Sequence, residues 1–264
     1  QIETADSLSG SKFRLYGKKG DFLGDTVKGA FLGNGISYGL TEDGEEAYIP
    51  ITGEVLESTT GFSLEGVLKS GYEYRLIEET APKGYQIGVK QGGIFRIKKD
   101  GSGLEFVGAS GNEGGIFEIK LIGNVGTLVL KNSPTKFTFT EVDQYENTVL
   151  HSEFKLYEAN SDGDKLSATA VTTWTNTGSN THELSKLHAD AYYRLERTNQ
   201  SVLYEKNHPT NDYYLFQISH DGKELKEVSG ISGKKNISGD IVKEGANKNK
   251  ELKIKATRIL AHAS

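Results

Sequence analysis

No cysteine occurs in the 264 residues. Disulfides and thiolate metal sites are therefore excluded, and any covalent staple in an exported form of this chain has to come from other side chains. Methionine is absent too, even at position 1, as expected of a mature or excised piece. No window approaches the run of about 18 apolar residues that a spanning helix needs, and the residues after Gln1 lack the layout of a secretory leader. No block of one charge sign stands out either. The net charge of -5 comes from interspersed residues, whereas a nucleic-acid surface needs a concentrated basic face, so nucleic acid is not an expected partner. The lysines at 248, 250, 253 and 255 read as the wet face of a terminal strand and its approach.

Motifs for turnover chemistry are missing as well. The six histidines (His151, His182, His188, His208, His220 and His262) are scattered, without the His-Glu-x-x-His spacing of a zinc helix or the spacing of a triad. Gly33-Asn34-Gly35 has no following helix and no Lys-Ser/Thr pair, so it reads as a turn and not a phosphate loop. Asn160-Ser161-Asp162-Gly163-Asp164 offers oxygen ligands but not the calcium loop's terminal Glu, and reads as a turn. The chain is expected to be no enzyme towards external substrates, with no metal and no cofactor.

What is present is glycine, 32 residues against a usual share of roughly 7 %, and no sustained apolar helical period. Both point to many strands joined by Gly-bearing turns. The length allows two ordinary domains, and landmarks recur in order. Phe13-Arg-Leu15-Tyr16 returns as Phe154-Lys-Leu156-Tyr157, Phe95-Arg-Ile97 with Asp100-Gly101 as Phe216-Gln-Ile218 with Asp221-Gly222, and Leu128-Val-Leu-Lys-Asn132 as Leu252-Lys-Ile254-Lys-Ala256. We therefore expect tandem copies of one fold, residues 1–133 and 134–264, joined at Ser133-Pro134-Thr135.

The informative stretch is Tyr74 to Tyr85. Tyr74, Leu76 and Glu78 share one face of a strand and Arg75 and Ile77 the other, and Pro82 and Gly84 then turn the chain. If the first face is the core, Glu78 carries a carboxyl into an apolar interior, where it must be neutralised, paired or used.

This pattern, Y-x-L-x-E-x-x-A-P-x-G-Y, resembles the penultimate-strand signature of the collagen-adhesin B-type (CnaB) immunoglobulin-like domains of Gram-positive surface proteins and pilins. Leu8-Ser-Gly-Ser-Lys-Phe13-Arg-Leu15-Tyr16 is similar to an early-strand motif of the same family. The resemblance implies an all-β chain of two Greek-key sandwiches. It also implies a Glu-assisted amide bond between a Lys on the first strand and an Asn on the last. Glu78 then takes the role of proton shuttle and Asn132 that of acceptor, while the place of the Lys falls at or just before Gln1. The second copy departs from the family. Glu141 takes the Lys place and Ala256 the Asn place, while the catalytic place goes to Arg197, or to Glu196 if the strand is shifted by one. No bond is expected there, and a Glu141–Arg197 ion pair would be a non-covalent substitute. Tyr204-Glu205-Lys206-Asn207 resembles the Tyr-Pro-Lys-Asn motif whose Lys is joined by sortase to the next pilin, with Glu205 in place of Pro, while the Leu-Pro-x-Thr-Gly sorting motif is missing.

The function implied is a structural or adhesive segment of an extracellular, cell-wall-anchored surface protein or minor pilin, with other pilin or surface-protein subunits as partners. Two other readings stand beside it. One is an adhesin module binding host matrix protein or glycan through the 17–65 excursion with Phe31, Tyr38 and Tyr48. The other is an accessory domain of a carbohydrate-active enzyme, which requires an aromatic platform around Trp174.

Overall fold

The computed structural model describes residues 10–19, 31–33, 36–37, 49–50, 56–58, 68–90, 92–122, 125–199, 201–207, 211–228 and 237–260. The chain is all-β and divides into two compact units, Gln1–Ser133 and Pro134–Ser264. Unit one contains β1 (Ser11–Lys19), β2 (Phe31–Gly33), β3 (Ile36–Ser37), β4 (Ile49–Pro50), β5 (Leu56–Ser58), β6 (Tyr72–Thr80), β7 (Gly93–Ile97), β8 (Leu104–Phe106), β9 (Phe117–Ile122) and β10 (Val125–Leu130). Its main sheet runs β4-β1-β6-β7-β8, with β5 also pairing β1, while β9 and β10 form an antiparallel hairpin of their own. Side chains from both layers meet in one core: Phe13, Leu15, Tyr74, Leu76 and Phe95 from the main sheet, Phe117 and Leu130 from the hairpin. The alternation over residues 74–78 of β6 does this, since Tyr74, Leu76 and Glu78 are buried and Arg75 and Ile77 half-buried.

Unit two contains β11 (Lys136–Asp143), β12 (Ser152–Ala159), β13 (Thr172–Thr175), β14 (Thr181–Ser185), β15 (Tyr192–Asn199), β16 (Tyr213–Ile218), β17 (Leu225–Glu227), β18 (Ser238–Ile241) and β19 (Glu251–Ala256). One sheet runs β14-β11-β19-β18 and the other β13-β12-β15-β16-β17. They form an immunoglobulin-like sandwich closed by Phe137, Phe139, Leu252 and Ile254 from the first sheet against Phe154, Leu156, Tyr193, Leu195 and Phe216 from the second. Its first and last strands, β11 and β19, lie parallel, with Glu141 opposite Ile254 and Asp143 opposite Ala256.

The two units repeat each other at the level of register. Phe13 faces Glu78 and Tyr74 faces Phe95 in unit one; Phe154 faces Arg197 and Tyr193 faces Phe216 in unit two. Both central tyrosines also fold back on their own approach: the Tyr74 hydroxyl accepts the Lys69 N–H at 2.6 Å and the Tyr193 hydroxyl accepts the His188 N–H at 2.7 Å.

Some expectations need correcting. The last strand of unit one stops at Leu130, so Asn132 lies just past it. Within the 17–65 excursion, β1 continues to Lys19 and β2 to β5 follow. Residues Ala109–Gly115, which nothing in the sequence pattern signalled, form short 3₁₀ turns broken by a kink at Asn112, Glu113 and Gly114 and connect towards β9. The side chain of Phe31, all of Tyr38 and Tyr48, and Gln1 lie outside the described residues.

Candidate functional site

In unit one, Glu78 is only 5 % exposed. The stripe of β6 delivers it to the end of the core, one step beyond Tyr74 and Leu76. Asn132 reaches it from two residues past β10, and its Nδ2 donates to both Glu78 carboxyl oxygens, each at 3.0 Å. The same nitrogen is 3.3 Å from the Gln86 carbonyl, which it also faces as a donor. Two backbone bonds set this arrangement: the Lys131 N–H to the Ile116 carbonyl at 2.7 Å, and the Gln86 N–H to the Ser133 carbonyl at 2.8 Å. The Ala81–Tyr85 turn, closed by the Tyr85 N–H on the Pro82 carbonyl at 3.0 Å, brings Gln86 back to that point.

Burial pushes the Glu78 carboxyl up to about 7, with the Asn132 hydrogen bond pulling the other way. Near neutral pH this group can both give and take a proton, as an acid-base shuttle must. The same shift has a stability consequence. The folded-state value is above the ordinary 4.5, so the folded unit holds a proton that the unfolded chain has lost. Stability from this group is complete below 4.5 and is lost as pH rises through about 7. We expect wild-type unit one to lose up to about 3 kcal/mol across that window relative to Glu78→Gln. Denaturant midpoints measured at pH 4.5 and pH 8 check this; parallel pH profiles for the two proteins would refute it.

In unit two the corresponding place is Arg197 and not Glu196, because Arg197 faces Phe154 as Glu78 faces Phe13. Glu196 instead bonds Arg194 at 3.0 Å and Lys165 at 2.8 Å. Arg197 Nη1 lies 3.4 Å from Glu141 Oε1 and 3.0 Å from the Lys255 carbonyl, and its Nε donates to Asn207 Oδ1 at 2.9 Å. Glu141 is 1 % exposed. Its carboxylate also accepts the Ser152 hydroxyl at 2.9 Å and Asn176 Nδ2 at 2.7 Å, and Asn176 Oδ1 takes the Ser152 N–H at 2.6 Å. Burial raises the Glu141 carboxyl while the guanidinium lowers it, and burial lowers Arg197 while Glu141 raises it. The result is a closed polar layer at one end of an apolar core, in which a carboxamide again donates to a buried carboxyl.

Sequence reading missed Ser152 and Asn176. A signal was available, since Ser152 has the parity of Phe154 and Leu156, and Asn176 that of Trp174. Each extends an inward stripe by one step.

Lys206 lies on the loop after β15, where the Glu205 N–H bonds the Thr257 carbonyl at 2.9 Å much as Gln86 bonds Ser133 in unit one. Its ammonium donates to the Asn199 carbonyl at 2.8 Å and the Ser201 carbonyl at 2.7 Å. Asn160 closes its own turn, Oδ1 accepting the N–H groups of Asp162 at 3.0 Å and Asp164 at 2.9 Å. Among the described residues no cluster of three or more His, Cys, Asp or Glu is placed to hold a metal. Trp174 is 8 % exposed within the core, so it presents no platform to a sugar, against the accessory-domain reading. His208, His262 and the expected position of the crosslinking Lys lie outside the described residues.

No family model matches the sequence, and no curated protein matches it. Among solved structures, the chain is similar to the C-terminal fragment of the pilus adhesin SpaC of Lactobacillus rhamnosus GG, at 19 % identity and a TM-score of 0.46, covering 100 % of this chain and 94 % of that fragment. Against a longer SpaC structure the identity is 18 % and the TM-score 0.41, and 98 % of this chain spans only 30 % of that one. The pilus adhesin RrgA of Streptococcus pneumoniae is similar at 12 % identity and a TM-score of 0.38, over 99 % of this chain and 31 % of RrgA.

Proposed function

We propose that this chain is a structural and adhesive segment of a Gram-positive cell-surface protein or minor pilin, built from two CnaB-type sandwiches, the first stapled by an intramolecular amide. The observation carrying this reading is the buried Glu78 carboxyl with the Asn132 carboxamide donating to both its oxygens. The amine would come from a lysine just upstream of Gln1, where the family resemblance puts it. Its neutral Nζ attacks Cγ of Asn132 while protonated Glu78 polarises the carboxamide and gives its proton to the outgoing nitrogen; the carboxylate so formed takes the proton released by the incoming nitrogen, so Glu78 ends as it began. One C–N bond forms, one breaks, and ammonia leaves. This is single-turnover self-modification, with no external substrate and no cofactor.

The bond would join the first strand to the last, so that tension applied across the unit passes through covalent linkage and not through ladder hydrogen bonds. Such a unit suits a stalk displayed outside the cell and joined to other surface or pilus subunits. A sortase-made link through Lys206 would first have to break the two carbonyl bonds that its ammonium donates. Single-molecule pulling tests the reading: unit one should give no unfolding extension in the wild type and a full one in Glu78→Ala. Equal extensions in both would remove the mechanical role.

A further inference from the structure

We propose that His182 is an acid-released clasp between the two sheets of unit two. Trp174 lies on β13 and His182 on β14, each the outer strand of its own sheet on the same side of the sandwich. Their rings stack face to face, with centroids 4.6 Å apart and planes 9° from parallel. Behind the indole stands Phe154 at 5.1 Å and 20°, with Phe139 tilted against it at 5.8 Å. The imidazole is thus the outermost plate of an aromatic stack that spans from one sheet to the other.

Protonation of this plate has two opposed effects. A cation over an indole face is attracted by the ring quadrupole, whereas removing the cation from water is unfavourable. The neighbouring charges do not decide between them. On β11 the buried ionisable groups are Glu141, whose oxygens are engaged by Ser152, Asn176 and Arg197, and Asp143, whose carboxylate accepts the N–H groups of Tyr145 and Asn147. On β14 itself, Glu183 turns to Lys136 at 3.3 Å. On β12, Glu153 and Lys155 pair with each other at 3.9 Å, and β13 carries only threonines beside Trp174. Among the described residues no carboxylate bonds the imidazole. Desolvation therefore decides, and it holds His182 below the ordinary 6.5.

The sign follows directly. The folded-state value is depressed, so on acidification the unfolded chain takes up the proton first. The stack stabilises fully above 6.5 and loses its contribution as pH falls from there through the folded value. In acid the charged ring leaves, the indole loses its cover, and the β13–β14 side of the sandwich loosens.

The chain has one tryptophan, so emission of the whole protein reads this site. Fluorescence and thermal midpoints are followed from pH 8 to pH 4 for wild type, His182→Phe and His182→Gln. In the wild type we expect a red shift with a midpoint below 6.5 and a falling Tm over the same range. His182→Phe keeps a stacking ring that cannot titrate; it should lose the transition, match wild type at pH 8 and melt above it at pH 5. His182→Gln should be shifted at every pH. A midpoint above 6.5 with Tm rising in acid would mean that the indole captures the cation, and a transition that persists in His182→Phe would assign it to another group; either result overturns the proposal.

Discussion

In a protein that carries the strand upstream of Gln1, Glu78→Ala is expected to show the intact mass calculated from its sequence, whereas the wild type weighs one ammonia less. The carboxyl has no substitute in its place on β6: it is 5 % exposed, and Asn132 donates to both its oxygens. Without it the amine has no base and the departing nitrogen no acid, and general acid-base participation of this kind is commonly worth about 10²–10⁴ in rate. Glu78→Gln should behave like Glu78→Ala, because a carboxamide cannot shuttle the proton. Asn132→Ala should also show no loss, since it removes the acceptor carbonyl itself. Peptide mapping of the wild type should place the crosslink at Asn132 and identify its lysine. A wild type at full mass would mean that both units stand on packing alone, and the ligand-presenting adhesin reading would then take precedence over the load-bearing one. Loss of ammonia that survives in Glu78→Ala would remove Glu78 from the chemistry while leaving the bond.

The second large effect is expected in unit two. Arg197→Ala leaves the Glu141 carboxylate at 1 % exposure without its guanidinium, and also abandons the Asn207 side chain and the Lys255 carbonyl. Breaking one side of a buried pair in this way costs about 3–5 kcal/mol. Replacing both partners with apolar residues of similar volume, Glu141→Met with Arg197→Met, should restore most of that loss, because no charge is then left in the interior. Ser152 and Asn176 would retain each other through the Asn176 Oδ1 bond. Denaturant midpoints followed by Trp174 emission separate the cases. If the single substitution costs less than about 1 kcal/mol, as exposed pairs do, the layer contributes little and the idea that it stands in for a covalent staple fails.

How far the site was legible depended on the kind of information required. Glu78 could be found because strand parity is local: a carboxyl in step with Tyr74 and Leu76 must enter whatever core those residues enter. Glu141 and Arg197 could be named by the same parity together with the recurring landmarks. Ser152 and Asn176 obey the rule too, but a serine or asparagine at the end of a stripe is as common in a turn as in a core. Only the partners reveal which it is. The choice between Arg197 and Glu196 is a register question, and register in an antiparallel pair is set by the opposite strand. Adjacent residues on β15 go to opposite faces, so one joins the Glu141 layer and the other joins Arg194 and Lys165 on the far side.

By itself the sequence determined the all-β class, the repeat of one pattern in two halves, and the inward-facing stripes, because strand periodicity and turn chemistry depend on neighbours along the chain. It also determined that no cysteine could staple either half. The tertiary structure alone decided that Asn132, just past its strand, turns back onto both oxygens of Glu78, that Arg197 lies beside Glu141, and that His182 covers Trp174. Those pairs come from segments far apart in sequence, and which side chains meet is settled when two sheets pack and their registers lock, a condition that no local pattern contains.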